Sequence, residues 1–532
     1  DTSAAALQRQ LPTWFASASR DPALALADAR GIVARNFGFE SWEALAAGRG
    51  SRRGSSAEAD AAPAFCTIDA AEGGLWVEGP LTEADWEKVA ALLEERGLTR
   101  LTARGIDDAG MKRVARAASL THLDVLDSKL LTDEGAAALA GLGQLEELAM
   151  GGWPSPLTDR ALAPLRRIRR LRRFRTAWTA GFSDAGMAAL AGCEALEEAN
   201  LLGTPSGDGA LRALAGKAKL RRLTTGRCVT DEGLALIAEL PVFSAWRGGA
   251  ARYDLMGTEA DPNQLVVDGP ITDAGLLSLA RLEGLFALSF FQHATAFGPR
   301  GVESLRALPH LAVLGCDGGR CDDRMMRAIA GLPRLRKLIA QGAVASDEGF
   351  AALAGSRTLE YLWGRQCPNF SSRGFAALAE MPALRGLAVS CARVSDEALA
   401  LLPSFPALRE LVPIDVHDEG FRHVGQCSRL EHLWCMYCRD TGDAATAHIA
   451  GLRLKSYYAG MARITDTSLE LLAAMRSLER VQLWHCDGVR EAGVAAIAAL
   501  PRLRELVLQG LPRVPRSVAR RFREEVRIRW HA

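Results

Sequence analysis

Thr132-Asp133-Glu134-Gly135 opens the stretch TDEGAAALAGLGQLEELAM, residues 132–150. Thr or Ser followed by Asp offers side-chain oxygens to the free N–H groups of a helix start. The acidic charge also suits the positive end of the helix dipole. In the copy that begins at Thr230, apolar Leu234, Ile237 and Leu240 recur at helical spacing. Pro often follows, as in Leu500-Pro501, and ends the short helix. Then comes Leu-x-x-Leu-x-Leu, as in Leu503, Leu506 and Leu508, whose last part alternates like a strand with one buried face. One helix and one strand in about 24 residues cannot bury their own apolar surface, but stacked copies can.

The phrase returns at Ser183, Thr230, Thr272, Ser346 and His417, with worn copies between them. Its Gly-like positions include 110, 135, 161, 186, 210 and 233, then 275, 301, 325 and 349. Most intervals are 22–26 residues, and the 233-to-275 interval is 42. The excess is GGAARYDLMGTEADPN, Gly248 to Asn263, which by its Gly-rich, polar composition predicts a loop. After it, LVVDGPITDAGL (Leu265 to Leu276) echoes LWVEGPLTEADW (Leu75 to Trp86). That echo divides the chain into a first array with its N-terminal cap at 65–247, an inserted loop at 248–263, and a second array with its C-terminal cap at 264–532.

The Leu-x-x-Leu-x-Leu-x-x-Asn/Cys spacing resembles leucine-rich repeats. Leu430, Leu433, Cys435 and Cys438 fit it, as do Leu359, Leu362 and Cys367, and Leu478, Val481, Leu483 and Cys486. The helical phrase resembles the cysteine-containing subclass of F-box receptors and bacterial repeat proteins. The resemblance implies an α/β, right-handed solenoid of about seventeen repeats, with a parallel concave sheet and convex helices. Such proteins share the habit of binding other molecules and no one activity.

Composition fits this. The 532 residues (57.0 kDa) are 48% hydrophobic and 24% charged, a globular balance. Lys+Arg at 64 against Asp+Glu at 63 gives a net charge of +1, which argues against a chain built to coat nucleic acid or an acidic membrane. Eleven dispersed cysteines do not form a secreted disulfide framework, so a reducing, cytoplasmic setting is the expectation. No apolar run approaches the roughly 20 residues of a transmembrane helix, and Asp1–Arg20 lacks a signal-peptide layout. Only seven lysines occur. Arg and Ala usage suggests a GC-rich bacterial genome.

Residues 1–50 lack the repeat and read as a helical segment. Pro22 to Asn36 is amphipathic, and GFESWEAL (Gly38 to Leu45) follows. The pair resembles the short helical segment ahead of bacterial ankyrin-type arrays. Residues 51–64, SRRGSSAEADAAPA, are a flexible linker by composition. Phe65–Ile68 and Leu75–Val77 are placed to pair as strands capping the first repeat.

No nucleotide-binding, zincin or hydrolase motif occurs, and no cofactor, metal or catalytic residue is assigned. Cys435-x-x-Cys438, near His432 and His485, has the spacing of half a zinc site, but both cysteines fall on inward repeat positions. Seven arginines crowd into ten residues: Arg166, Arg167, Arg169, Arg170, Arg172, Arg173 and Arg175. They are a possible patch for an anionic partner, although Arg173 shares a sheet face with Glu147 and Glu198.

The strongest interaction signal is the outward column of the strands. It holds Tyr361, Trp363 and Arg365, then Ala388, then His432, Trp434 and Met436, then Tyr458, then Arg480, Gln482 and Trp484, with Phe291 and Ile339 upstream. Trp, Tyr and Arg dominate binding hot spots. The expected function is therefore a non-catalytic scaffold that binds a protein on its concave face, with nucleic acid and membrane disfavoured as partners. One alternative is an F-box-like substrate receptor or effector for a ubiquitin ligase, docking through residues 1–50. A second is an enzyme with a site in the 248–263 loop.

Overall fold

The computed structural model describes residues 63, 65–69, 73–246, 251–260, 263–438 and 440–531. The segments assigned to 1–50 and 51–64 lie outside these residues, Pro63 apart.

Each Leu-x-x-Leu-x-Leu phrase forms a short strand with alternate residues turned inward. In Glu505–Gln509, Leu506 and Leu508 are buried while Glu505, Val507 and Gln509 stay partly exposed. Twenty strands, among the described residues, join one sheet. Cys66–Asp69 runs antiparallel to Gly74–Glu78 at its start. From Gly74–Glu78 onward each strand pairs in parallel with that of the next repeat. The register aligns Leu75, Leu101, Leu123, Leu148, Phe174, Ala199 and Leu223 in one inward row. Consecutive helices pack on the other side, and one apolar cluster runs between the layers from Leu75 to Val526. The fold is a leucine-rich-repeat solenoid.

The Thr/Ser of most phrases caps its own helix: the Thr230 side chain accepts from the Glu232 amide at 3.2 Å. The Asp that follows does something else. Asp208 accepts from the Thr230 amide at 2.9 Å and from its hydroxyl at 2.7 Å, one repeat on. Asp108, Asp133, Asp159, Asp323 and Asp443 bond the next repeat in the same way. Reading these aspartates as caps of their own helices therefore needs correcting, because they staple neighbouring repeats. The contact also explains the glycine of the phrase. A Cβ on Gly275 would sit 2.3 Å from Asp231 Oδ1.

The stacking passes the insertion without a break. Arg222–Thr224 pairs in parallel with Asn263–Val267. Asp231 bonds the Thr272 amide and hydroxyl at 2.8 and 2.5 Å across 41 residues. Buried Asn263 donates to the Val242 and Gly284 carbonyls at 2.5 and 2.6 Å. Within the 248–263 segment the chain forms an antiparallel hairpin, Ala251–Tyr253 with Thr258–Ala260. Asp254 makes its turn, accepting from the Met256 and Gly257 amides at 2.9 and 2.6 Å.

Candidate partner-binding face

Parallel register turns the outward residues into rows across the sheet. The first row runs Val313, Lys337, Tyr361, Gly386, Glu410, His432, Ser456, Arg480 and Glu505. Gly315, Ile339, Trp363 and Ala388 belong to the second row, as do Trp434, Tyr458, Gln482 and Val507. Trp484 and Gln509 pair in a third.

The hairpin lies on the first two rows. Leu255, 1% exposed, packs with Tyr361, Ala388, Val412 and Ile414, and Tyr253, Trp363, Trp434 and Met436 border the same cluster. Tyr253 meets Tyr361 edge-on, ring centroids 5.8 Å apart. It also touches Phe286, beside Trp246, which stacks on His310. Two ionisable side chains grip the turn by its main chain. Lys337 Nζ donates to the Asp254 and Gly257 carbonyls, both at 2.8 Å. The Leu255 amide donates to Glu410 at 3.0 Å, and Tyr361 Oη donates to the other carboxylate oxygen at 3.5 Å. Gly386 makes the approach possible, since a Cβ there would stand 2.5 Å from the Tyr361 ring and 3.2 Å from Leu255 Cβ.

Burial sets the electrostatics. Lys337 is 2% exposed, and desolvation pushes its ammonium down to about 8. Glu410 is 8% exposed, and burial pushes its carboxyl up to about 7 against the pull of the Leu255 amide. Burial raises the Tyr361 and Tyr458 phenols and lowers the His432 imidazole.

Beyond the turn the face is open. A cleft runs from Asp254 and Glu410 over His432, Trp434, Ser456 and Tyr458 to Arg480 and Gln482. A second hollow continues over Tyr458, Gln482, Trp484, Val507 and Gln509. His432 bonds Ser456 Oγ at 2.5 Å and stacks on Trp434. Arg480 pairs with Glu505 at 2.6 Å. The indole N–H of Trp484 is buried without a hydrogen-bond partner.

The face residues singled out from sequence thus divide. Tyr361, Trp363, Trp434 and Met436 meet the hairpin. His432, Trp434, Tyr458, Arg480, Gln482 and Trp484 line the open part. Arg365 lies over the Tyr437 ring at 3.8 Å. Upstream, Phe291 meets Trp178 at 6.1 Å. Leu255, Lys337, Gly386 and Glu410 were not singled out. The one sequence signal at Lys337 and Glu410 is a charge at an outward strand position, which looks like ordinary solvated surface.

The arginine run also divides. Arg173 pairs with Glu147 at 2.6 Å, Arg175 with Asp124 at 2.8 Å, and Arg172 with Glu197 and Glu146 at 2.8 and 3.5 Å. Arg170 bonds Gln144. Arg166, Arg167 and Arg169 are exposed at and just beyond the end of the 159–167 helical turn. Cys435 is buried, its thiol pushed up by desolvation, and Cys438 is half-buried against the Met436 carbonyl. Among the described residues no three His, Cys, Asp or Glu side chains converge as metal ligands, and no helix is long and apolar enough to cross a membrane.

No family model matches the chain, and no curated protein does. Three solved structures are among those similar to it. An internalin of Listeria monocytogenes is 14% identical over 80% of this chain and 88% of its own, at a TM-score of 0.28. A leucine-rich-repeat protein of Leptospira interrogans is 13% identical over 81% and 89%, at 0.34. The yeast Rad7–Elc1 complex supplies a third, 15% identical over 85% and 88%, at 0.27. The fold assignment rests on the strand register described above.

Proposed function

We propose that the protein is a non-catalytic scaffold that binds a protein partner on its concave face, in the cleft formed by Trp434, Tyr458, Gln482 and Trp484. One observation supports this most: the same aromatic column already holds a peptide segment, the chain's own hairpin, on its adjoining half. A face that packs on Leu255 and bonds backbone groups has the chemistry that recognises polypeptide. The half beyond it keeps aromatic and amide side chains within reach of solvent. Aromatic anchors of this kind carry most of the energy of protein interfaces. The reading places the protein in the cytoplasm, consistent with its unpaired cysteines.

The test is capture from lysate of the source cells by wild type beside Trp434→Ala/Trp484→Ala, read by mass spectrometry. A partner held by wild type and lost by the folded double variant is the expected result. Identical partner sets from both proteins contradict the proposal.

A further inference from the structure

The way the face holds the hairpin turn describes a ligand. Lys337 donates to two main-chain carbonyls of the turn, and Glu410 accepts from one main-chain amide. These contacts read backbone geometry and would fit any turn of the same shape. Side-chain selection comes from two further features. Leu255 enters the apolar floor of Ala388, Val412 and Ile414, and Asp254 shapes the turn by bonding the Met256 and Gly257 amides.

Burying Lys337 and Glu410 carries a desolvation cost, and their bonds to the turn satisfy main-chain groups that an apolar row would leave unpaired. With the turn withdrawn, water solvates the same two side chains. Withdrawal leaves the array intact, because strand 222–224 pairs directly with 263–267 and Asp231 bonds Thr272 without the hairpin. The turn also abuts the open cleft, with Asp254 at its edge and Trp434 common to both.

We infer that Lys337, Tyr361, Gly386 and Glu410 form a turn-reading site, and that the Tyr253–Gly257 turn fills it as a tethered occupant. The partner of the concave face then enters by presenting the same element, a turn with an acidic residue followed by an aliphatic tip. The last clause rests on the protein-binding reading above. A short tether gives its turn an effective concentration on the order of mM, so a partner must add contacts in the Trp434–Trp484 cleft to displace it.

The probe is a labelled, cyclised peptide of residues 251–260, followed by fluorescence anisotropy. In one protein, residues 249–262 are replaced by a short Gly/Ser segment. This protein is expected to bind the peptide at least tenfold more tightly than wild type, whose site is filled. Adding Lys337→Met or Glu410→Ala to it abolishes binding. Equal binding by the two proteins, or none by the folded shortened protein, overturns the site. If the shortened protein does not fold, Leu255→Asp in the full chain opens the same site, and failure of that variant to bind the peptide overturns it equally. Any partner captured from lysate is then challenged with excess peptide, and one that remains bound overturns the last clause alone. A capture experiment that finds no partner removes the scaffold reading and leaves the peptide result standing.

Discussion

The Leu255 amide donates to the carboxylate of Glu410, 155 residues further along the chain, at 3.0 Å. That bond ties the hairpin of residues 251–260 to the floor of the concave face. It makes the aromatic column a surface with one half occupied and one half open.

Leu255 is the apolar anchor of the contact. Truncating a buried leucine to alanine costs about 2–5 kcal/mol, which here falls on docking of the hairpin and not on the array. Leu255→Ala should therefore leave far-UV circular dichroism unchanged, shift Trp363 and Trp434 emission to the red, and speed amide exchange across 253–257. Unchanged emission and exchange would show that the turn is held by other means.

Glu410 gives docking a pH signature. Its folded value of about 7 lies above the ordinary 4.5, so the docked state binds a proton that the undocked state releases. Stability from this group is fully present below 4.5 and is lost as pH rises toward 7, by up to about 3 kcal/mol. Lys337 runs the other way: with its value lowered from 10.5 to about 8, its penalty persists below 8 and fades above it. Docking is least favourable between about 7 and 8. Asp254 and Tyr361 also face the carboxylate, and lowered His432 opposes the acid-side gain below its ordinary 6.5. Glu410→Gln keeps an acceptor for the Leu255 amide and removes the charge. It should raise the Tm at pH 7.5 and match wild type near pH 4. A Tm difference that does not vary with pH would contradict this.

The aspartate staples predict where the solenoid is fragile. Asp323 accepts from the Ser346 amide and hydroxyl at 2.7 and 2.8 Å and from the Gly349 amide at 3.1 Å. Asp323→Ala leaves those donors unsatisfied and should cost about 1–3 kcal/mol. Gly275→Ala drives a methyl against Asp231 and should cost at least as much. Urea midpoints check both, and a shift no larger than that of the exposed Arg327→Ala control would refute the staple account.

The strands and helix starts were legible because their signals are local. Leu506 and Leu508 alternate within one strand, and Thr230 caps a helix two residues away. The role of Asp208 was not legible, because its partner is 22 residues on and only stacking brings them together. The same holds more strongly at the candidate site. Asp254 and Lys337 are 83 residues apart, and nothing in a Gly-rich insertion says which face it will meet. The outward aromatics could be read from their register. That Tyr361 and Trp363 meet Leu255 and Tyr253 while Trp484 lines an open hollow depends on a long-range contact.

The most direct measurement is site-specific photo-crosslinking in the source cells, with the reactive side chain placed at Gln482 on the concave sheet or at Arg327 on the helical side. A discrete adduct with a protein partner is expected from position 482 and none from position 327. Adducts from 327 alone, or equally from both positions, would contradict it.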